Sequence, residues 1–150
     1  MFIMQWCIIH HLYQQGYTFL HEGLLTILTR HVGWDPANRT DRERVKKVIS
    51  EVIDKRSDKQ RLTEDEARLA GLWKPFASRF SFFAQLAHYR NNINHGQATD
   101  QRYTYDLLAS SLADFCNNTR GLITTCMKFL ADKREKGARS NEGADHDRRR

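Results

Sequence analysis

The sequence predicts an all-α protein, and three observations support this fold class. Apolar residues recur at spacings of three and four along most of the 150 residues, as they do on one face of a helix. Only 2 Pro and 8 Gly interrupt the chain, and no segment alternates apolar and polar residues as a strand does. A hydrophobic fraction of 40% with 11% aromatics suffices for a folded core. We therefore predict one domain, a bundle of four or five helices.

An apolar pattern at the N-terminus predicts the first helix. Its face consists of Phe2, Trp6, Ile9, Tyr13, Leu20, Leu24, Ile27 and Leu28. Gly16 and Gly23 lie seven apart and therefore on roughly the same side. They either let another backbone come close or, at Gly16, kink the helix. Because the pattern begins at Phe2 without a capping residue, we expect the chain to be part of a longer protein.

Two capping boxes predict where the next two helices begin. The sequences are TDRE at 40–43 and TEDE at 63–66, in which the Thr hydroxyl and the Glu carboxylate satisfy reciprocal backbone amides. An amphipathic stripe follows the first box over residues 45–53, and the second helix is predicted to end at Pro75.

Two further helices complete the predicted bundle. One runs from about Ser78 to Ile93, with Gly96 as the residue after its C-cap. The other runs over residues 105–129, where apolar residues alternate by three and four in a pattern close to a heptad. Such a seam is typical of bundle packing or of a dimer interface.

The charge and cysteine content restrict the class of protein. A formal net charge of +6 and a pI near 9.4 favour an anionic partner, usually nucleic acid. Residues 134–150 contain two Ala as their only apolar residues, so we predict a disordered charged tail after a folded domain at 1–133. The three Cys form no CxxC pair, which fits a reducing cytoplasm. The N-terminal stretch lacks a basic region and is broken by His and Gln, so we expect neither signal peptide nor membrane span.

The segment HYRNNINHG at 88–96 carries the candidate chemistry. The sequence contains no phosphate loop, HExxH, nucleophile elbow or paired-cysteine metal motif, so we assign no metal and no cofactor. Arg90 supplies a charged fork suited to phosphate, and His95 can move a proton near neutral pH. Asn91 and Asn94 can hydrogen-bond a phosphate oxygen or a 2′-hydroxyl, or orient the other two. These groups suffice for metal-free RNA cleavage in which the 2′-hydroxyl of the RNA is the nucleophile.

Helical geometry constrains this set. Arg90 and Asn94 lie on one face of an ideal helix, and Asn91 and His95 lie on another. Arg90 and His95, five residues apart, are separated by about 140° around the axis. Either the helix loosens before Gly96, or two copies of the motif meet across a dimer axis and form one site.

The sequence RNNINH resembles the R-x(4–6)-H motif of HEPN ribonuclease domains. Residues 6–25, WCIIHHLYQQGYTFLHEGLL, resemble the opening of the HEPN domain in CRISPR-associated CARF–HEPN (Csx) proteins, and the likeness spans about Trp6 to Phe129. It implies a HEPN-like homodimer with a composite, metal-independent ribonuclease site. Arg90 and His95 match the fixed motif positions and Asn91 the polar neighbour. Asn94 is added because it lies one turn beyond Arg90.

The resemblance also implies regulation and a cellular role. In such proteins a CARF domain binds cyclic oligoadenylate and activates the nuclease. No CARF domain is present in these residues, so we expect the C-terminal part of a longer CARF–HEPN protein. The expected function is an endoribonuclease for single-stranded RNA, acting in the cytoplasm in CRISPR antiviral defence. The alternative is a non-catalytic helical dimerisation or nucleic-acid-binding module, in which His95 would tolerate Ala. A weaker alternative is a toxin-type HEPN protein held by an antitoxin.

Overall fold

A computed structural model describes residues 2–53, 62–95 and 104–147, but not the side chains of His95, Met127 and residues 129–147. The described chain is helical, which confirms the all-α prediction. The elements are α1 (Phe2–Ile9), α2 (Tyr13–His31), α3 (Arg39–Ile53), α4 (Glu64–Trp73), a 3-10 turn (Lys74–Phe76), α5 (Ala77–His95) and α6 (Tyr105–Asp147). Among these residues, no helix combines the length and the apolar character that crossing a membrane requires.

The segment predicted as one N-terminal helix forms two helices, α1 and α2. The described residues therefore contain one α-helix more than the five predicted at most. The chain turns between α1 and α2 at His11, whose φ of 57° is left-handed. The Leu12 amide closes the turn by donating to the Cys7 carbonyl at 2.8 Å. The His11 Nδ1 lies 2.9 Å from the Tyr13 hydroxyl. His is one of the few residues without a strong penalty in this conformation, so the break falls here and not at Gly16.

Gly16 instead permits a close approach of three helices. A Cβ at this position would lie 2.6 Å from Leu112 Cδ2 on α6 and 3.2 Å from Cys7 Cβ on α1. A Cβ at Gly23 would meet nothing within 4 Å. The sequence left open a close approach of another backbone or a kink at Gly16; the atoms nearest to it are instead side-chain atoms of α6 and α1.

One of the two predicted capping boxes is correct. Thr63 and Glu66 form the reciprocal bonds of a capping box at the start of α4. The box predicted at Thr40 is wrong, because α3 begins at Arg39 and Thr40 is already helical. The Asn38 Oδ1 accepts from the Thr40 amide at 2.8 Å, which is the bond that an N-cap residue makes. Pro75 separates α4 from α5 as predicted.

The apolar seam of α6 faces the core of its own chain. Its buried members are Leu108, Leu112, Phe115, Thr119, Leu122 and Cys126. The Tyr17 hydroxyl of α2 donates to the Leu108 carbonyl at 3.0 Å, and the Tyr17 ring lies edge-on to Phe115. These side chains therefore pack within one chain, and the seam does not support a dimer interface.

The backbone of α6 continues as a helix to Asp147. It thus enters the segment from Arg134 that the sequence predicts to be disordered. With two Ala as its only apolar residues, that segment has no apolar face to pack, and an unpacked helix is marginal in water. Its disorder in solution stays a prediction, as does Gly96 as the residue after a C-cap, because Gly96 lies outside the described residues.

Candidate active site

The polar motif occupies the last two turns of α5, whose backbone is helical through His95. Asn91 and Asn94 are exposed, whereas Asn92 is buried. The Asn92 Nδ2 lies 2.9 Å from His88 Nε2, one turn earlier. Asn92 therefore has a structural partner within the helix, while Asn91 and Asn94 are accessible to a ligand.

Arg90 is held at both ends of its guanidinium group. Its Nη2 donates to Glu22 Oε1 on α2 at 3.0 Å, and its Nη1 donates to Asn91 Oδ1 at 3.0 Å. The Nε–H is buried and has no hydrogen-bond partner among the described residues. The side chain is 30% exposed, so the guanidinium is oriented by the protein and still reaches solvent.

Glu22 joins Arg90 to two further residues, and we call His21, Glu22, Arg42 and Arg90 the Glu22 cluster. The Glu22 Oε2 accepts from Arg42 Nη2 on α3. The Glu22 Oε1 also lies 3.0 Å from His21 Nδ1. The buried His21 ring stacks on Phe83, with centroids 5.0 Å apart. The cluster therefore connects α2, α3 and α5.

Burial and charge set the protonation states in the cluster. Burial raises the pKa of Glu22, but the hydrogen bond from His21 and the charges of Arg42 and Arg90 outweigh it, and the pKa falls below its usual value. Burial lowers the pKa of His21 more than the bond to Glu22 raises it. At neutral pH an ionised Glu22 thus accepts from a neutral His21 protonated on Nδ1. Two guanidinium groups face one carboxylate, which leaves a positive charge in excess beside the motif.

Arg42 is committed to structural contacts. Its Nη1 donates to Thr26 Oγ1 at 3.0 Å and lies 3.5 Å from the Pro36 carbonyl. It therefore ties α3 to α2 and to the preceding loop. Arg90, whose side chain is 30% exposed against 20% for Arg42 and lies beside the exposed amide of Asn91, is the arginine of the pair that is suited to a phosphate.

The structure brings together part of the predicted site. Arg90 and Asn91 are hydrogen-bonded, and Asn94 is exposed one turn further along α5. The His95 side chain lies outside the described residues. Because α5 stays helical through His95, the helix does not loosen before that residue, and Arg90 and His95 remain about 140° apart around its axis.

Sequence reasoning missed Glu22, His21 and Arg42. A signal existed for the first two, since the pair HE interrupts the apolar pattern of α2 within residues 6–25. A charged residue beside a buried face needs a partner. No local pattern links Glu22 to Arg90, however, because they are 68 residues apart.

Other sources of chemistry are restricted in the described part of the chain. No group of three or more His, Cys, Asp or Glu side chains there could hold a metal ion. Burial raises the pKa of Cys7 and Cys116, and it raises that of Cys126 to about 11. All three cysteines are free and are therefore thiols at neutral pH, which are poor nucleophiles.

Comparison of the chain with protein-family models, curated proteins and solved structures found no match. Function must therefore be inferred from the residues of this chain and from the motif that they resemble. The Glu22 cluster and the exposed amides at the end of α5 are the features that bear on it.

Proposed function

We propose that the protein is a metal-independent endoribonuclease that cleaves single-stranded RNA. The main support for this proposal is the way in which the Arg90 side chain is held and its place on α5. The motif arginine is oriented by Glu22 and Asn91, has a side chain that is 30% exposed, and lies five residues before His95 at the end of the same helix. Oriented charged donors of this kind stabilise the negative charge that develops on a phosphate in the transition state.

The proposed reaction is an internal transesterification. A neutral imidazole of His95 takes the proton of the 2′-hydroxyl, whose oxygen bonds to the phosphorus as the bond from phosphorus to the 5′-oxygen breaks. A protonated imidazole gives a proton to the departing 5′-oxygen. The products are a 2′,3′-cyclic phosphate and a 5′-hydroxyl, and no water, metal or oxidant is consumed. Arg90 holds the phosphate, and Asn91 and Asn94 orient the substrate or His95.

We propose that two copies of the chain form one composite site as a homodimer. Arg90 and His95 lie on different faces of a continuous α5, which favours a site that takes the two residues from different copies. A twofold axis near the end of α5 supplies two imidazoles, one as base and one as acid. The formal net charge of +6 assists RNA binding.

The motif resemblance extends the proposal to a cellular role. We place the chain in the cytoplasm as an effector of CRISPR antiviral defence. Cyclic oligoadenylate would act only through a CARF domain, which these 150 residues do not contain. The second candidate function is a non-catalytic helical dimerisation or nucleic-acid-binding module. It is favoured by the Arg90–Glu22 ion pair, since an arginine with a purely structural role makes the same contact.

Cleavage of a labelled single-stranded RNA in excess EDTA tests the proposal. The unmodified chain is compared with His95→Ala and with His10→Ala, a control at an exposed histidine outside α5. We expect cleavage to survive EDTA and to fall at least about 100-fold in His95→Ala, because loss of a general acid–base costs that much. His10→Ala should stay within about threefold of the unmodified chain, and the products should carry 5′-hydroxyl ends.

Two outcomes would contradict the proposal. Equal cleavage by His95→Ala would mean that a contaminant or another site cuts the RNA. No cleavage by the unmodified chain, at a concentration where sedimentation shows a dimer, would favour the non-catalytic module.

A further inference from the structure

Glu22 is the one acidic partner of the motif arginine among the described residues, and it belongs to a different helix. Its carboxylate receives donors from three sides: Arg90 and His21 on one oxygen and Arg42 on the other. Arg42 is in turn anchored to Thr26. The position of the carboxylate is therefore fixed by α2 and α3 before any ligand arrives.

We infer that Glu22 is a positioning residue that orients Arg90 for the phosphate, an inference that rests on the proposed ribonuclease function. An arginine side chain loses considerable rotamer freedom when it is ordered. Glu22 and Asn91 hold the two ends of the guanidinium group in the free protein, so less of this entropy is lost when the guanidinium takes up its position in the transition state. The carboxylate itself does not touch the substrate.

Because Glu22 is charged, its substitution should affect RNA binding and turnover differently, which is not expected for a purely structural ion pair. A carboxylate beside a phosphate site repels the RNA, while its contact with Arg90 orients the guanidinium. Glu22→Gln removes the repulsion and weakens the orientation. Binding of RNA should therefore stay equal or become tighter, whereas turnover should fall, as when an interaction acts in the transition state only.

A second bridging carboxylate offers a matched control. Glu66 on α4 accepts from Arg44 Nε at 3.3 Å and from Lys47 Nζ at 2.9 Å, both on α3. It also accepts from the Thr63 amide. We call Thr63, Glu66, Arg44 and Lys47 the Glu66 cluster. Glu66→Gln makes the same chemical change as Glu22→Gln, at a carboxylate whose hydrogen bonds do not involve α5.

The experiment measures kcat and KM for single-stranded RNA, together with the Kd for an RNA with 2′-O-methyl groups, which cannot react. For Glu22→Gln we expect kcat to fall about 10- to 100-fold, in the range that misplacement of a catalytic group causes, with KM and Kd unchanged or lower. Glu66→Gln should change none of these by more than about twofold. Glu22→Asp keeps the charge on a shorter side chain, so its kcat should lie between that of Glu22→Gln and that of the unmodified chain.

A double mutant tests whether Glu22 acts through Arg90. Lys at position 90 has no planar fork to orient, so Glu22→Gln should have little further effect on kcat in an Arg90→Lys background. All rates are measured well below the midpoint of thermal unfolding of each variant, so that loss of folded protein does not count as loss of turnover.

The outcomes separate the two proposals. If the unmodified chain cleaves and His95→Ala does not, the ribonuclease stands; an unchanged kcat in Glu22→Gln, or an equal fall in Glu66→Gln, then overturns the role of Glu22 alone. If the unmodified chain does not cleave, or His95→Ala cleaves equally, both proposals fall. Additive effects of Glu22→Gln and Arg90→Lys would also overturn the positioning role.

Discussion

The Glu22 cluster and the Glu66 cluster both use a glutamate to bridge two cations, and α3 takes part in each. In the Glu66 cluster every contact has a structural purpose. The carboxylate is 3% exposed, closes the capping box of α4 and ties that helix to α3. Arg44 also lies over the Trp34 ring, 3.8 Å from its centroid. The start of α4 is thereby fixed against α3.

The Glu22 cluster differs in what surrounds its cations. Arg90 retains a buried Nε–H without a described partner, and exposed amides follow it at Asn91 and Asn94. A bridged carboxylate alone is thus weak support for function, because the Glu66 cluster has one as well. The more exposed carboxylate of Glu22 and the accessible amides beside Arg90 distinguish a candidate site from a structural ion pair.

The largest expected effect in this comparison is on stability. Glu66→Ala should lower the free energy of unfolding by about 2 kcal/mol, because it removes half of a capping box and the buried carboxylate that accepts from Arg44 and Lys47. Glu22→Ala should cost only about 0.5 kcal/mol, since the Glu22 side chain is 36% exposed and partly exposed ion pairs contribute little. Urea denaturation measures both values. A greater loss at Glu22 would mean that its cluster is the more important structural joint.

The start of α3, the helix shared by both clusters, gives a smaller effect. Asn38→Ala should lower the free energy of unfolding by about 1 kcal/mol, because it removes the N-cap bond to the Thr40 amide. Thr40→Ala should cost less than about 0.5 kcal/mol, because Thr40 lies inside the helix. Thermal unfolding of the two variants compares these costs. The reverse order would restore Thr40 as the cap that the sequence predicts.

Local patterns predicted most of the helices but not the turn at His11. The TEDE box, the break at Pro75 and the α6 seam each depend on residues within a few positions. The capping-box pattern TDRE favoured Thr40, but Asn38 two residues earlier has the same N-cap chemistry and makes the bond to the Thr40 amide. A left-handed non-glycine residue such as His11 also carries no local signal.

The candidate site was predictable only where it is local. Arg90, Asn91 and Asn94 were identified from one short motif, and the structure places the first two in contact. The contact between Glu22 and Arg90 spans 68 residues and depends on how α2 crosses α5, which helical periodicity does not specify. The close approach at Gly16 was undecided for the same reason, because it depends on the position of α6.

The smallest effect is a pH dependence confined to the Glu22 cluster. In the folded protein, burial lowers the pKa of His21, and the charges of Arg90 and Lys46 lower it further. The hydrogen bond to Glu22 raises it, but by less. Unfolded His titrates near pH 6.5, so below that pH the unfolded state binds a proton that the folded state does not, and stability falls. Folding also lowers the pKa values of Glu22 and Glu66, so these carboxylates stabilise the protein while they are ionised. That stabilisation is lost only at lower pH, below the ordinary Glu value of about 4.3.

His21→Asn isolates this contribution, because its amide nitrogen can still donate to Glu22 but does not titrate. Between pH 7 and pH 5 the variant should lose less stability than the unmodified chain, by less than about 1 kcal/mol. Urea denaturation across this pH range measures the difference. If His21→Asn loses as much stability as the unmodified chain, the acid-sensitive group is not in the Glu22 cluster, and the two clusters differ only in their contacts.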